Sequence, residues 1–161
     1  MIELNLKNKK GKINIKSNDV KKILGLRPDF KYIQDISETI KQKNIMVYDC
    51  QLSREIFNMD EIDEIKQEIG EDIDDSYFEV LFEDVRAYLK DATDEVESEI
   101  QDRYLLDNVR FHFDVYNIDE TFTDFKFVFL VSFNDIKIAS LNNLSRLIGK
   151  RQLKGASKFY S

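Results

Sequence analysis

The sequence predicts an α+β fold in which an antiparallel sheet, built from N- and C-terminal hairpins, packs against a central, strongly acidic helical segment. Three observations lead there. Apolar residues alternate with polar ones near the N-terminus (Ile2, Leu4, Leu6, then Ile13, Ile15) and again over 109–133, and a period of two marks strands with one buried face. Between these stretches Phe78, Leu81, Phe82, Val85 and Leu89 recur at helical spacing, forming the broad apolar stripe of a core helix. Charge divides the chain in the same places. Residues 54–107 hold 20 of the 31 acidic residues against five bases, a net charge of −15, whereas residues 1–53 carry +5 and 108–161 carry +3.

With 161 residues the chain suits a single α+β domain, 1–161, because a chain of about 150 residues already buries roughly 70% of its unfolded surface. It divides internally into a basic hairpin and helices (1–53), an acidic helical segment (54–107), and an aromatic hairpin, helix and basic tail (108–161). The lone cysteine, Cys50, excludes an intramolecular disulfide and reads as a small buried hydrophobe. The N-terminal stretch lacks the unbroken apolar run of a signal peptide, and no segment reaches the ~18 apolar residues of a membrane span. The expected location is therefore cytoplasmic. Abundant Ile, Lys, Asn and Asp with a single Pro and no Trp suggest AT-rich coding, as in a phage or mobile element of a low-GC bacterium.

In chain order, the first hairpin turns at Asn8-Lys9-Lys10-Gly11. Ser17 is positioned to cap a short helix carrying Val20, Ile23 and Leu24, which Gly25 stops. After Pro28, Asp29 is placed to cap a second helix with Ile33, Ile36 and Ile40 on one face. The run Ile45-Met46-Val47-Tyr48 fits either a strand or an extended linker. The acidic segment reads as three or four helices: one with Leu52, Ile56 and Phe57, one with Ile62, Ile65 and Ile69, the central core helix, and a surface helix capped by Thr93 or Asp94 with a narrow stripe of Val96 and Ile100. Beyond Asp107-Asn108, a half-buried strand points Val109, Phe111, Phe113 and Val115 inward and Arg110, His112, Asp114 and Tyr116 outward. Its partner, with Phe125, Phe127, Phe129 and Val131 on one face and Val128 and Leu130 on the other, should be central. A helix with Leu141, Leu144, Leu147 and Ile148 should end at Gly149, leaving a basic, partly mobile tail.

The acidic helices break a local rule. Asp60/Glu64, Glu64/Glu68, Glu68/Asp72, Asp91/Glu95 and Glu95/Glu99 are like charges at i,i+4, each destabilising an isolated helix by about 0.2–0.5 kcal/mol. Departures of this kind tend to mark function. Carboxylates at that spacing stand about 5–6 Å apart at Cβ, comparable to phosphates along one nucleic-acid strand. Asp60, Glu61, Glu64, Glu68, Glu71, Asp72, Asp75, Asp91, Glu95 and Glu99 are thus candidate partner-binding residues. The expected partner is a basic, nucleic-acid-binding protein such as a nuclease or polymerase, steered by long-range attraction. A homodimer is compatible with the pattern; direct duplex binding and membrane contact are not expected. Solubility alone would also account for an acidic face.

No catalytic group, metal or cofactor is expected. His112 is the one histidine, the five glycines stand apart rather than forming a phosphate loop, and a calcium loop counted from Asp72 would have Tyr77 where its turn glycine belongs. One alternative comes from a resemblance. Asp114, followed by Asp124-Phe125-Lys126 at the start of the next strand, resembles the Asp…(Asp/Glu)-x-Lys hairpin of restriction-endonuclease-like nucleases. That likeness implies a metal held by Asp114 and Asp124, with Lys126 positioning the attacking water. The preferred expectation is a non-enzymatic inhibitor, anti-CRISPR or immunity-type, whose acidic surface imitates nucleic acid. A phage structural or assembly protein is the first alternative and the hairpin nuclease the second.

Overall fold

The computed structural model describes residues 1–27, 29–40, 43–52, 75–118, 125–133 and 137–160, with the side chains of 75–82, 118 and 155–160 outside that description. Six strands and three α-helices occur among them: β1 (Glu3–Asn8), β2 (Gly11–Lys16), α1 (Ser17–Gly25), β3 (Phe30–Asp35), β4 (Ile45–Leu52), α2 (Asp75–Tyr104), β5 (Arg110–Ile118), β6 (Phe125–Ser132) and α3 (Ile138–Tyr160), with a 3-10 turn at Ser37–Thr39. The fold is α+β, as the periodicities predicted. β1 and β2 form their own antiparallel ribbon, and the other strands form a four-stranded antiparallel sheet in the order β3-β4-β6-β5.

The sheet is covered on both sides. On one face Met46, Tyr48, Cys50, Leu52, Phe125, Phe127, Phe129 and Val131 pack with α1, α2 and the ribbon in the larger core. Phe30 meets Phe127 edge-on with ring centroids 5.3 Å apart, the geometry that the ring quadrupoles favour. On the other face Ile45, Val47, Val128 and Leu130 meet Leu141 and Ile148 of α3. β4 and β6 are consequently apolar on both faces. The stretch that fitted strand or linker, 45–48, thus begins a central strand.

Several expectations are overturned. The second helix is β3: Ile33 packs toward the larger core and Ile36, just past the strand, joins the smaller one, because residues three apart in an extended chain point to opposite faces, and their spacing imitates a helix. Thr93 and Asp94 cap nothing, because α2 runs through them unbroken; the Thr93 hydroxyl donates to the Leu89 carbonyl (2.6 Å) one turn back. The expected surface helix is core, with Val96 and Ile100 fully buried on the same face as Val85, Leu89 and Ala92. Gly149 likewise does not stop α3. A Cβ there would lie 3.0 Å from Tyr116 Cβ, so this glycine lets helix and strand approach closely, and the expected basic tail continues the helix to Tyr160. The two short acidic helices proposed before residue 75 lie outside the described residues, apart from Leu52, which belongs to β4.

Candidate functional site: the carboxylate face of α2

Burial of Val85, Leu89, Ala92, Val96 and Ile100 fixes the rotation of α2. The rest of the helix surface then presents Asp84, Asp91, Asp94, Glu95, Glu99 and Asp102, all exposed. Asp91, Glu95 and Glu99 form one i,i+4 column about 12 Å long at 1.5 Å per residue. Of the other candidate partner-binding residues, Asp75 is the first residue of α2, its side chain outside the description. Asp60, Glu61, Glu64, Glu68, Glu71 and Asp72 lie outside the described residues.

The column is not left wholly unbalanced. Glu95 accepts a 2.6 Å bond from Arg27, and Glu99 accepts one of 3.2 Å from Arg103 on the next turn. The second pair follows helical spacing and is legible in the sequence. The first spans 68 residues and is not. Arg27 belongs to the loop after α1, which a hydrogen bond from the Tyr88 hydroxyl to the Asp29 carboxylate also ties to α2. Burial and that bond both keep the Tyr88 phenol protonated far above its usual range. On the shoulder of α2, Glu97 is pushed up by burial and by Asp94, with Arg110 opposing. Asp91, Asp94 and Asp102 have no ion-pair partner among the described residues.

The sheet face under α3 holds the residues of the nuclease resemblance. Asp114 stands across from Val128, whereas Lys126 stands across from Asn117 and Gln51, so both occupy the α3 face, two residues apart along β6. Asp124 lies outside the described residues. The Asp114 carboxyl is raised by burial, with His112, Arg146 and Arg86 opposing. Asp49 is held by the Tyr116 hydroxyl (2.6 Å) and the Gln152 amide (2.8 Å), beside a cleft of about 190 Å³ lined by Tyr32, Gln34, Gln51 and Lys126. Among the described residues, no group of three His, Cys, Asp or Glu side chains converges as metal ligands would.

Cys50 and His112 do not form a nucleophile–base pair. The Cys50 thiol is buried in the larger core and raised well above its ordinary value by burial, while His112 reaches Asn142 of α3 (3.3 Å) on the other side of the sheet. No helix among the described residues is long and apolar enough to cross a membrane. No protein-family model matches the chain, and no curated protein or solved structure matches it either.

Proposed function

We propose that this chain is a non-enzymatic binding protein of the cytoplasm whose acidic helical surface occludes a basic nucleic-acid-binding site on a partner, as nuclease inhibitors, anti-CRISPR proteins and immunity proteins do. The observation that carries the reading is the exposed carboxylate face of α2. A rigid helix backed by a buried stripe holds that row in place, so a partner meets pre-positioned charges rather than mobile ones. The 54–74 segment adds further carboxylates in sequence. Such a surface associates fast and in a salt-sensitive way.

The test is affinity capture from a low-GC bacterial lysate at low and moderate salt, followed by asking whether the chain displaces a nucleic-acid probe from the captured protein. Capture that weakens with salt, displacement of the probe, and loss of both in Asp91→Lys/Glu99→Lys are the expected results. Glu95 is spared because it holds Arg27. Capture of a protein whose probe binding is unaffected, or binding indifferent to the charge reversal, would exclude the reading. Ile138, Leu147 and Leu153 leave apolar surface exposed on α3, which favours the phage or mobile-element assembly protein as the second reading. Self-association without capture would support it.

A further inference from the structure

The β1–β2 ribbon carries a second charged surface of opposite sign. Lys7, Lys9, Lys10 and Lys12 crowd its turn end, and all four are exposed. Lys7 and Lys12 are directly opposed in the register, an arrangement that destabilises a strand pair. Lys9 has only a 3.8 Å contact with Asp107, in which both side chains are more than four-fifths exposed, and such pairs contribute little. Lys7, Lys10 and Lys12 have no ion-pair partner among the described residues. Nothing described within the molecule balances this cluster.

The shape of the ribbon presents these lysines outward. Leu4 and Ile15 are buried at its base, Leu6 and Ile13 only half-buried nearer the turn, and a cleft of about 380 Å³ separates its end from residues 105–108 and Phe133. The end is nevertheless held. Asn8 Nδ2 donates to the Tyr104 carbonyl (2.7 Å), the Lys10 amide donates to Asn8 Oδ1 (2.9 Å), and Gly11 takes the φ of +127° that closes the turn. It is a two-stranded ribbon with its apolar face toward the core, its turn end tied to the end of α2, and four exposed lysines at that end.

We propose that the 7–12 end of this ribbon docks on the phosphate backbone of a nucleic-acid duplex. A two-stranded ribbon fits a major groove about 12 Å wide, and lysines on both strands and at the turn can reach phosphates on both groove walls. The tip sequence, Lys-Asn-Lys-Lys-Gly-Lys, offers no apolar wedge for a bilayer and no aromatic ring for stacking on single-stranded bases. Contact through lysines alone positions a protein without reading sequence. The chain's net charge of −7 opposes a duplex lying along the acidic face. Near the tip the opposing carboxylates include Asp107, which Lys9 contacts, and Asp102 and Glu99, two and five residues before the Tyr104 carbonyl that holds Asn8, against four lysines. Asp91 is 13 residues from Tyr104, about 20 Å, well beyond a screening length of about 8 Å at physiological salt. The site does not depend on the reading of α2.

Fluorescence anisotropy of a labelled mixed-sequence DNA duplex, titrated with the full chain, tests this. Four phosphate contacts correspond to a log–log salt slope of about −3.6, so affinity should fall by about 10²-fold between roughly 50 and 200 mM salt. Lys9→Gln/Lys10→Gln and Lys7→Gln/Lys12→Gln should each reduce the slope by about 2, with folding checked by thermal melts and Asp91→Lys/Glu99→Lys retaining the ribbon's slope contribution. No binding near 50 mM salt, a slope unchanged when all four lysines are replaced, or equal or tighter binding to a single strand of the same length would each overturn the proposal. Lysine-dependent self-association in place of duplex binding would overturn it too, and assign the ribbon to a second copy.

Discussion

Ser17 holds four elements together through one side chain and one peptide unit. Its hydroxyl accepts from the Ile2 amide (2.8 Å) and donates to Asp35 (2.5 Å), and its carbonyl accepts from the buried Tyr48 hydroxyl (2.6 Å). The sequence marks Ser17 as a helix cap, yet the N-cap of α1 is Lys16 and no side chain closes it. The hydroxyl serves tertiary structure instead. Its partners lie 15 and 18 residues away, beyond the reach of any local pattern, so the residue was legible as a polar punctuation mark but not as a junction. Ser17→Ala leaves the Ile2 amide and the Asp35 carboxylate each one partner short, and should cost about 1–3 kcal/mol, read as a lower urea midpoint at unchanged m-value. Burial raises the Asp35 carboxyl, but the Ser17 and Ser37 hydrogen bonds outweigh it and hold the group below its ordinary 3.8. That contribution is present above the unfolded pKa and is lost as pH falls through the lower folded value. The stability gap between wild type and Ser17→Ala should therefore be largest above about pH 4 and shrink on further acidification.

Elements whose boundaries rest on tertiary contact were the least legible ones. Strict alternation of period two located β1, β2, β5 and β6 in the sequence, because each presents one apolar face or two over an uninterrupted run. β3 was lost because Ile33 and Ile36, three apart, serve two different cores, and α2 was cut in two because Thr93 and Asp94 look like cap residues until Ala92 and Val96 are seen in the core. α2 ends at Tyr104, and the next residue, Leu105, turns the chain at φ +53°, where the Leu106 amide bonds back to the Gln101 carbonyl (3.1 Å). That closure favours glycine, and a side chain in the left-handed region costs about 1–2 kcal/mol. Leu105 is partly exposed and gives little packing in return. After the greater unfolded-state entropy of glycine is deducted, Leu105→Gly should raise stability by about 0.5–1 kcal/mol, seen as a higher Tm. Gly149 makes the opposite case within α3. Alanine there gains up to about 1 kcal/mol of helix propensity, but its Cβ would meet Tyr116 Cβ, an atom fixed to the β5 backbone, at 3.0 Å. Overpacking of this kind costs about 1–3 kcal/mol, so Gly149→Ala should lower Tm. An unchanged or higher Tm would show that α3 shifts freely on β5.

At the scale of the whole molecule, two electrostatic effects run against each other as pH falls from neutrality. The net charge of −7 is a self-repulsion that acid relieves by protonating carboxylates, and added salt relieves by screening. His112 acts in the other direction. Burial between β5 and α3 is the main influence and lowers its pKa below the ordinary 6.5; the Asn142 contact and Asp114 raise it, while Arg86 and Arg146 lower it. A group depressed in the fold binds fewer protons there than in the unfolded chain, so its contribution is present above pH 6.5 and lost as pH falls through the folded value. Asp114, facing the same space, has the reverse sign. Its carboxyl is raised above 3.8 chiefly by burial, so its ionised form opposes folding at neutral pH and that opposition fades as pH falls toward the folded value. The segregation of charge along the chain was legible in the sequence; this opposition was not, because it depends on α3 covering the strand face expected to be polar and solvated. Urea denaturation of wild type and His112→Gln at pH 7.5 and 5.5 separates the local effect from the global one, since the variant keeps every carboxylate and loses only the titrating ring. Relative to His112→Gln, wild type should lose stability over that interval. Parallel behaviour of the two proteins would mean that His112 titrates as if solvated, and would place α3 less firmly on β5 than the burial of Leu141 and Ile148 requires.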